Sequence, residues 1–499
     1  MTDEASGAPT PHAPAVEGAI AVYRGATLFD GTGRPVRSGT SIVVDGQVIR
    51  AVGGDAEIAA DLPSDAQVFD LEGRFVVPGL IDAHQHIATP PDRPTAEAVL
   101  RRLVYSGVTA IRDMADDLRQ VGDLARAALV GEIPGPDIRY AALMAGPGFF
   151  DDPRTHQVSQ GETPGAVPWM QAITKDTDLR LAVALARGTH ASAIKVYADL
   201  DHTTVAAITA EAHRQGIPVW AHATVFPAAP GQLVEAGVDS VSHVTLLAFE
   251  GTDEPLTSYK HKPRVAYERF AAGDDPRIEK LFALMRGRGT VLDATAGMWA
   301  SEALAGEGPE DAARAAANTE LAAVLTAQAH RAGVDIAAGT DYETGPEEPF
   351  PALYEELSFL VRRCGMSPEQ VLRSATLIGA RGAGAEDLMG SIEVGKLANF
   401  VVLEDDPLSD IEHLRSVTLT VKRGRRFPRR DFDVPRNLDA LRDVDAPRDS
   451  DARGDSDARG DFDVPRDFDR TASRAERPTQ VPSSEAEEPG ATHRAEETR

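Results

Sequence analysis

The 499-residue sequence predicts an α/β protein: a TIM-like (β/α)8 barrel with a small β-sandwich built from the chain on both of its flanks. Three observations predict this. Through the middle of the chain short β-rich runs alternate with helical patterns, the arrangement of a parallel sheet covered by helices. Those runs number eight, the count that closes a barrel. The flanking stretches hold only short strands broken by Asp-Gly and Gly turns, and they resemble each other rather than the middle.

In chain order, residues 1–15 are rich in Pro, Ala and Thr and read as a disordered tail. Residues 19–71 contain AVYRGATLFDGTG, TSIVVDGQVIRAV and AQVFDLEG, the first part of the sandwich. Residues 72–389 form the barrel, with strands VVPGLIDAH, GVTAIRDM, DIRYAALMA, ASAIKVYADL, IPVWAHA, DSVSHVT, TVLDATA and VDIAAGTD. Between them, TTVAAITAEAHRQG places Val205, Ile208 and Ala212 on one helical face, with Thr203 or Thr204 as cap and Gly216 as terminator. In SPEQVLRSATLIGA, Ser367 is the N-cap, Pro368 the first helical residue and Gln370 the partner in a capping box. Residues 390–427, with GSIEVGKLANFVVLED and VTLTVKRGRRF, complete the sandwich. Its two parts meet because the barrel is inserted between them. Residues 428–499 repeat DSDARG and DFDVPR and hold too few apolar side chains to offset the entropy of ordering. They read as a disordered acidic tail, and the RGD tripeptides within it as chance repetition.

Composition narrows the function. The chain is 42% hydrophobic, enough for a large interior, and its net charge of -27 argues against a nucleic-acid partner or an anionic membrane. No apolar run approaches the ~18–20 residues of a membrane span. The N-terminus lacks the basic segment and apolar core of a secretory signal. Cys364 is the only cysteine, so neither an intrachain disulfide nor a thiolate metal site can form. A cytoplasmic location is expected, and a homo-oligomer stays open.

Active-site groups of a barrel lie at the C-terminal ends of its strands. His84 and His86 end the first run, Lys195 lies in the fourth, His222 in the fifth, His243 in the sixth and Asp341 in the eighth. Residues two apart on a strand point the same way, so His84 and His86 can share one cavity while Gln85 points elsewhere. Imidazole and carboxylate suit zinc and similar divalent ions. One such histidine alone would be an ordinary core residue, but four with an aspartate at successive strand ends are hard to satisfy as packing. Lys195 either snorkels outward or carries a carbamate that serves as a ligand. Arg112 and Asp113 read as a local structural pair, and His156, His190, His213, His261 and His330 as surface residues.

PGLIDAHQH, the AIKVY lysine, WAHA, SH and GTD together resemble the amidohydrolase superfamily, in the branch of imidazolonepropionase-like proteins and carboxylated-lysine Xaa-Pro dipeptidases. The resemblance spans roughly residues 19 to 427. It implies six metal ligands, His84, His86, Lys195, His222, His243 and Asp341, around two divalent ions, zinc by preference, with a CO2-derived carbamate on Lys195 between them. It implies hydrolysis of a small-molecule amide (a dipeptide, an N-acyl amino acid or a cyclic amide), with Asp341 as the catalytic proton acceptor and donor. Tyr197, two residues beyond Lys195, can face the same cavity and steady the substrate oxyanion, or simply pack in the barrel. Two other readings stay open: a mononuclear imidazolonepropionase-like hydrolase or deaminase with unmodified Lys195, and a non-catalytic barrel scaffold. The loop GPGFFDDPRTHQ and the segment LLAFEGTDEPLTSYKHKPRVAYERF match no substrate-defining pattern.

Overall fold

The run VVPGLIDAH does not form one strand. In the computed structural model, Phe75–Pro78 pairs antiparallel with Phe400–Leu403 in the flanking sheet, and Leu80–Gln85 is the first barrel strand. Proline has no N–H for a ladder, so pairing breaks there. The Gly79 N–H still bonds back to Asn399 O at 3.0 Å, whereas the Leu80 N–H turns to Gly107 O at 2.9 Å. A side chain at position 79 would lie 2.2 Å from Thr109 Oγ1, so glycine is what lets the chain cross so near the second barrel strand.

The structure describes residues 20–433 apart from 61, 90, 266, 306, 307, 346 and 347. The expected tail at 1–15, and the expected acidic tail beyond 433, lie outside the described residues. Eight parallel strands follow one another round the barrel: Leu80–Gln85, Val108–Asp113, Asp137–Ala145, Ala193–Val196, Val219–His222, Ser240–Ser242, Val291–Asp293 and Ile336–Ala337. Their residues are buried almost throughout, as a parallel sheet covered by helices requires. The ring closes between the eighth strand and the first, where Ala83 N–H bonds Ala338 O at 2.8 Å and Asp341 N–H bonds His84 O at 3.0 Å. Among the described residues no helix is long and apolar enough to cross a membrane.

The helix His202–Arg214 buries Val205, Ile208 and Ala212 as the periodicity predicts, but its N-cap is Asp201 rather than a threonine. The Asp201 carboxylate accepts the Thr204 N–H at 2.8 Å and the Thr203 hydroxyl at 2.6 Å, since an ionised acceptor outcompetes a hydroxyl at that position. Ser367 and Gln370 form the expected capping box, with bonds of 3.3 and 2.8 Å.

The two flanks join in one mixed eight-stranded sheet with its own core, which includes Tyr23, Leu28, Ile42, Val44, Phe400 and Val421. The described chain continues past Phe427. Pro428 is still in a strand, and Phe432 lies 5.7 Å from Tyr105 of the barrel helix Arg93–Tyr105. Lys422 and Arg423 of the flanking sheet clamp it to the barrel through Asp137, at 2.8 Å each. Lys422 is 1% exposed, so Asp137→Ala would leave a buried ammonium bonded to Ala128 O, 3.1 Å away, with its carboxylate partner gone. Stability should fall by ~3–5 kcal/mol, the usual result of removing one partner of a buried pair. Urea unfolding of the variant checks this, and an unchanged midpoint would show that the clamp is dispensable.

Candidate metal centre

Asp341, just past the eighth strand, is the meeting point. Its Oδ1 lies 3.4 Å from His84 Nε2 and 3.4 Å from His86 Nε2, and its Oδ2 lies 3.7 Å from His243 Nδ1. The His243 ring is 4.8 Å from His84 and 4.6 Å from His222, and the Tyr197 ring lies 4.2 Å beyond on His222. Lys195 Nζ donates to Ser242 Oγ at 3.3 Å, and its charge acts on His84, His222 and His243 alike. All six strand-end candidates are therefore brought together at one end of the barrel, with Tyr197 at the edge of the group. Gln85 points away, as alternation requires, donating to Asp82 and Thr340 at 2.8 Å each.

Backbone conformation helps to aim these groups. His243, Thr295 and Asp341 have φ of 73°, 44° and 61°, a left-handed geometry that costs non-glycine residues about 1–3 kcal/mol each. His243 Nδ1 also lies 3.0 Å from the Thr295 hydroxyl. His156, His190, His213, His261 and His330 take no part. His213, for example, pairs with Asp239 on the surface at 2.8 Å.

Burial sets most of the protonation states. It drives His84, His222 and His243 well below the usual imidazole range, and the neighbouring positive groups act in the same direction. Burial opposes the charge of His86 too, but Asp116, Asp341 and Asp113 outweigh it and raise the group to about 9. Lys195 is brought down to about 7 by burial, with Asp293 and Asp341 resisting and Arg112 assisting. Asp341 is pushed up to about 6 by burial, against the pull of His86 and Lys195.

Carboxylates beside the histidines were not among the residues singled out from sequence. Asp116 accepts from His86 Nδ1 at 2.8 Å and from Ala88 N–H at 2.6 Å, and Asp293 accepts from His84 Nδ1 at 2.7 Å. Asp293 was visible as the acid ending the strand run TVLDATA, while Asp116 followed the second strand with no marker. The expected Arg112–Asp113 pair does not exist, because adjacent strand residues face opposite ways. Arg112 bonds Asp293 at 3.0 Å, whereas Asp113 accepts the Ile87 and Asp116 N–H groups at 3.2 Å.

The donor set fits a divalent cation. Ligand atoms of His84, His243 and Asp341 lie within 4.8 Å of one another, and Asp341 Oδ2 is buried with no hydrogen-bond partner among the described residues. Neutral imidazoles with an under-satisfied carboxylate are the ligands zinc takes.

Residues 75–427 match the amidohydrolase family. Imidazolonepropionases of Symbiobacterium thermophilum and Micrococcus luteus are 24% and 25% identical over 402 and 406 residues, covering 76% of this chain and 88% and 90% of theirs. A solved Xaa-Pro dipeptidase with bound methionine has a TM-score of 0.63 at 23% identity, over 82% of this chain and 100% of that one. An A. niger ochratoxinase has a TM-score of 0.64 at 23% identity, over 83% and 96%. These structural likenesses establish a common fold. With a family match over most of its length, the chain belongs to the amidohydrolase family, hydrolases acting on carbon–nitrogen bonds.

Proposed function

We propose that the protein is a metal-dependent amidohydrolase that cleaves the C–N bond of a small amide: a dipeptide, an N-acyl amino acid or a cyclic amide. The observation that carries this reading is the convergence of His84, His86 and His243 on the Asp341 carboxylate. His84, His86 and Asp341 would hold one zinc ion, and His222 and His243 a second, with a Lys195 carbamate shared between them. Bound cations of this kind lower the pKa of a coordinated water toward neutrality and polarise a carbonyl.

Asp341 takes the proton released as the C–O bond forms and returns it to the nitrogen as the C–N bond breaks. Tyr197, packed on His222, would steady the developing oxyanion. Lys195 at about 7 presents an uncharged amine that can add to CO2 with loss of one proton, giving the carbamate. The substrate would be a soluble molecule met in the cytoplasm. A screen of metal-quantified protein against the three amide classes tests the reading, and fully loaded protein that hydrolyses none of them would refute it.

One observation favours a second reading. His84, His243 and Asp341 already lie close enough to hold a single ion, which would leave Lys195 unmodified. Imidazolonepropionases stand among the relatives of this chain.

Asp341→Asn should keep much of its metal, since an amide oxygen still coordinates, yet lose turnover by about 10²–10⁴-fold for want of the proton carrier. Steady-state kinetics with metal analysis measure both, and near wild-type turnover would remove Asp341 from this role. Lys195→Ala separates the two metal readings. With a carbamate, the folded variant should bind fewer ions per chain and be nearly inactive, and electron density should extend beyond Nζ in the wild type. A bare amine beside one fully occupied ion would leave the single-metal hydrolase as the better account.

A further inference from the structure

We infer that Asp293 is the positioning residue of this centre, fixing His84 directly and Lys195 through Ser242. It ends the seventh barrel strand and is fully buried. One oxygen, Oδ2, receives Arg112 Nη2 at 3.0 Å, Ser242 Oγ at 2.8 Å and His84 Nδ1 at 2.7 Å. With Arg112 and Ser242 both donating to Oδ2, His84 completes the set as a donor from Nδ1. The lone pair of His84 is thereby placed on Nε2, the atom facing Asp341 at 3.4 Å. The Ser242 hydroxyl, its proton directed at Asp293, is left to accept from Lys195 Nζ at 3.3 Å. One carboxylate therefore orients groups that belong to both halves of the centre.

The anchor behind it is rigid. Arg112 Nε bonds Ala83 O at 2.7 Å, its Nη1 bonds Ser240 Oγ and Gly382 O at 2.9 Å each, and its guanidinium lies 4.6 Å over Trp220. An independent observation comes from the chain opposite. A Cβ on Gly339 would fall 2.2 Å from Asp293 Oδ1 and 2.9 Å from His84 Cβ. The glycine of the GTD run is thus the residue that leaves room for the Asp293–His84 contact.

The inference rests on His84 being a metal ligand, and a double-mutant cycle separates the two claims. Zinc is titrated into apo protein against a chelating indicator, for wild type, Asp293→Asn, His84→Ala and the double variant. Asp293→Asn should weaken zinc binding by about 10–100-fold, the usual effect of removing an outer partner of a ligating histidine. In the His84→Ala background the same change should add far less, because the two residues act as one unit. Equal losses in both backgrounds, or wild-type affinity in Asp293→Asn, would overturn the assignment. A wild type that binds no zinc would refute the metal reading, and this inference with it. Should Asp293→Asn fail to fold, Gly339→Ala replaces it in the cycle with the same expectation, since its methyl drives against the same two side chains.

Discussion

The arrangement depends on the closure of the barrel between its first and eighth strands. Asp82 and Thr340 are 258 positions apart, yet Asp82 Oδ1 accepts the Thr340 N–H at 3.1 Å and Oδ2 accepts the Thr340 hydroxyl at 2.9 Å. The same carboxylate takes the His84 N–H at 3.1 Å. This lock sits one residue from Asp341 and two from His84, so the contact that seals the ring also sets the first histidine against the aspartate. Burial pushes the Asp82 carboxyl up to about 7, with the Gln85, His84 and Thr340 bonds pulling the other way. A buried carboxylate is tolerable there because nearly every direction of its lone pairs is used.

Much of this could be read from residue order. Eight β-rich runs and the period-two spacing of His84 and His86 define the barrel and one face of its mouth. In a parallel barrel the strand ends gather whatever the loops between them do, which is why six residues from five runs were legible together. Contacts made across the ring were not. Arg112 meets Asp293 at a separation of 181 positions and His84 meets Asp293 at 209, and no local pattern encodes such pairings. The division of VVPGLIDAH was hidden for a related reason. Hydrophobic periodicity runs unbroken through Val76 to Ile81, and the Pro-Gly pair alone marks the point where the hydrogen-bonding partner changes. Asp201 is hard to recognise as the cap from sequence because Thr203 and Thr204, equally able to cap, lie just beyond it.

Charge is arranged through the barrel interior in a way that an apolar core would not need. Arg112 is wholly buried and balanced by Asp293, at a distance and burial where removing either partner would leave an uncompensated ion. Lys195 donates to the Ser242 hydroxyl, and burial lowers its affinity for a proton. Burial lowers the proton affinity of Arg112 as well, but there the Asp293 carboxylate resists it at bonding distance.

The strand-end groups and the rings beside them are supplied by different parts of the chain. The strand-end groups are held by the ring, by left-handed backbone at His243 and Asp341, and by carboxylates at Nδ1 of His84 and His86. Outside them stands a wall of rings supplied by loops: Phe149 is 4.6 Å from Tyr197, which is 5.7 Å from Tyr259, and Lys262 Nζ lies 4.0 Å over the Tyr259 ring. Phe149 and Tyr259 come from the two segments whose sequence matched no substrate-defining pattern, and the reason is physical. Ligand geometry tolerates few residue types at fixed strand positions, whereas an aromatic wall can be assembled from loops of many lengths.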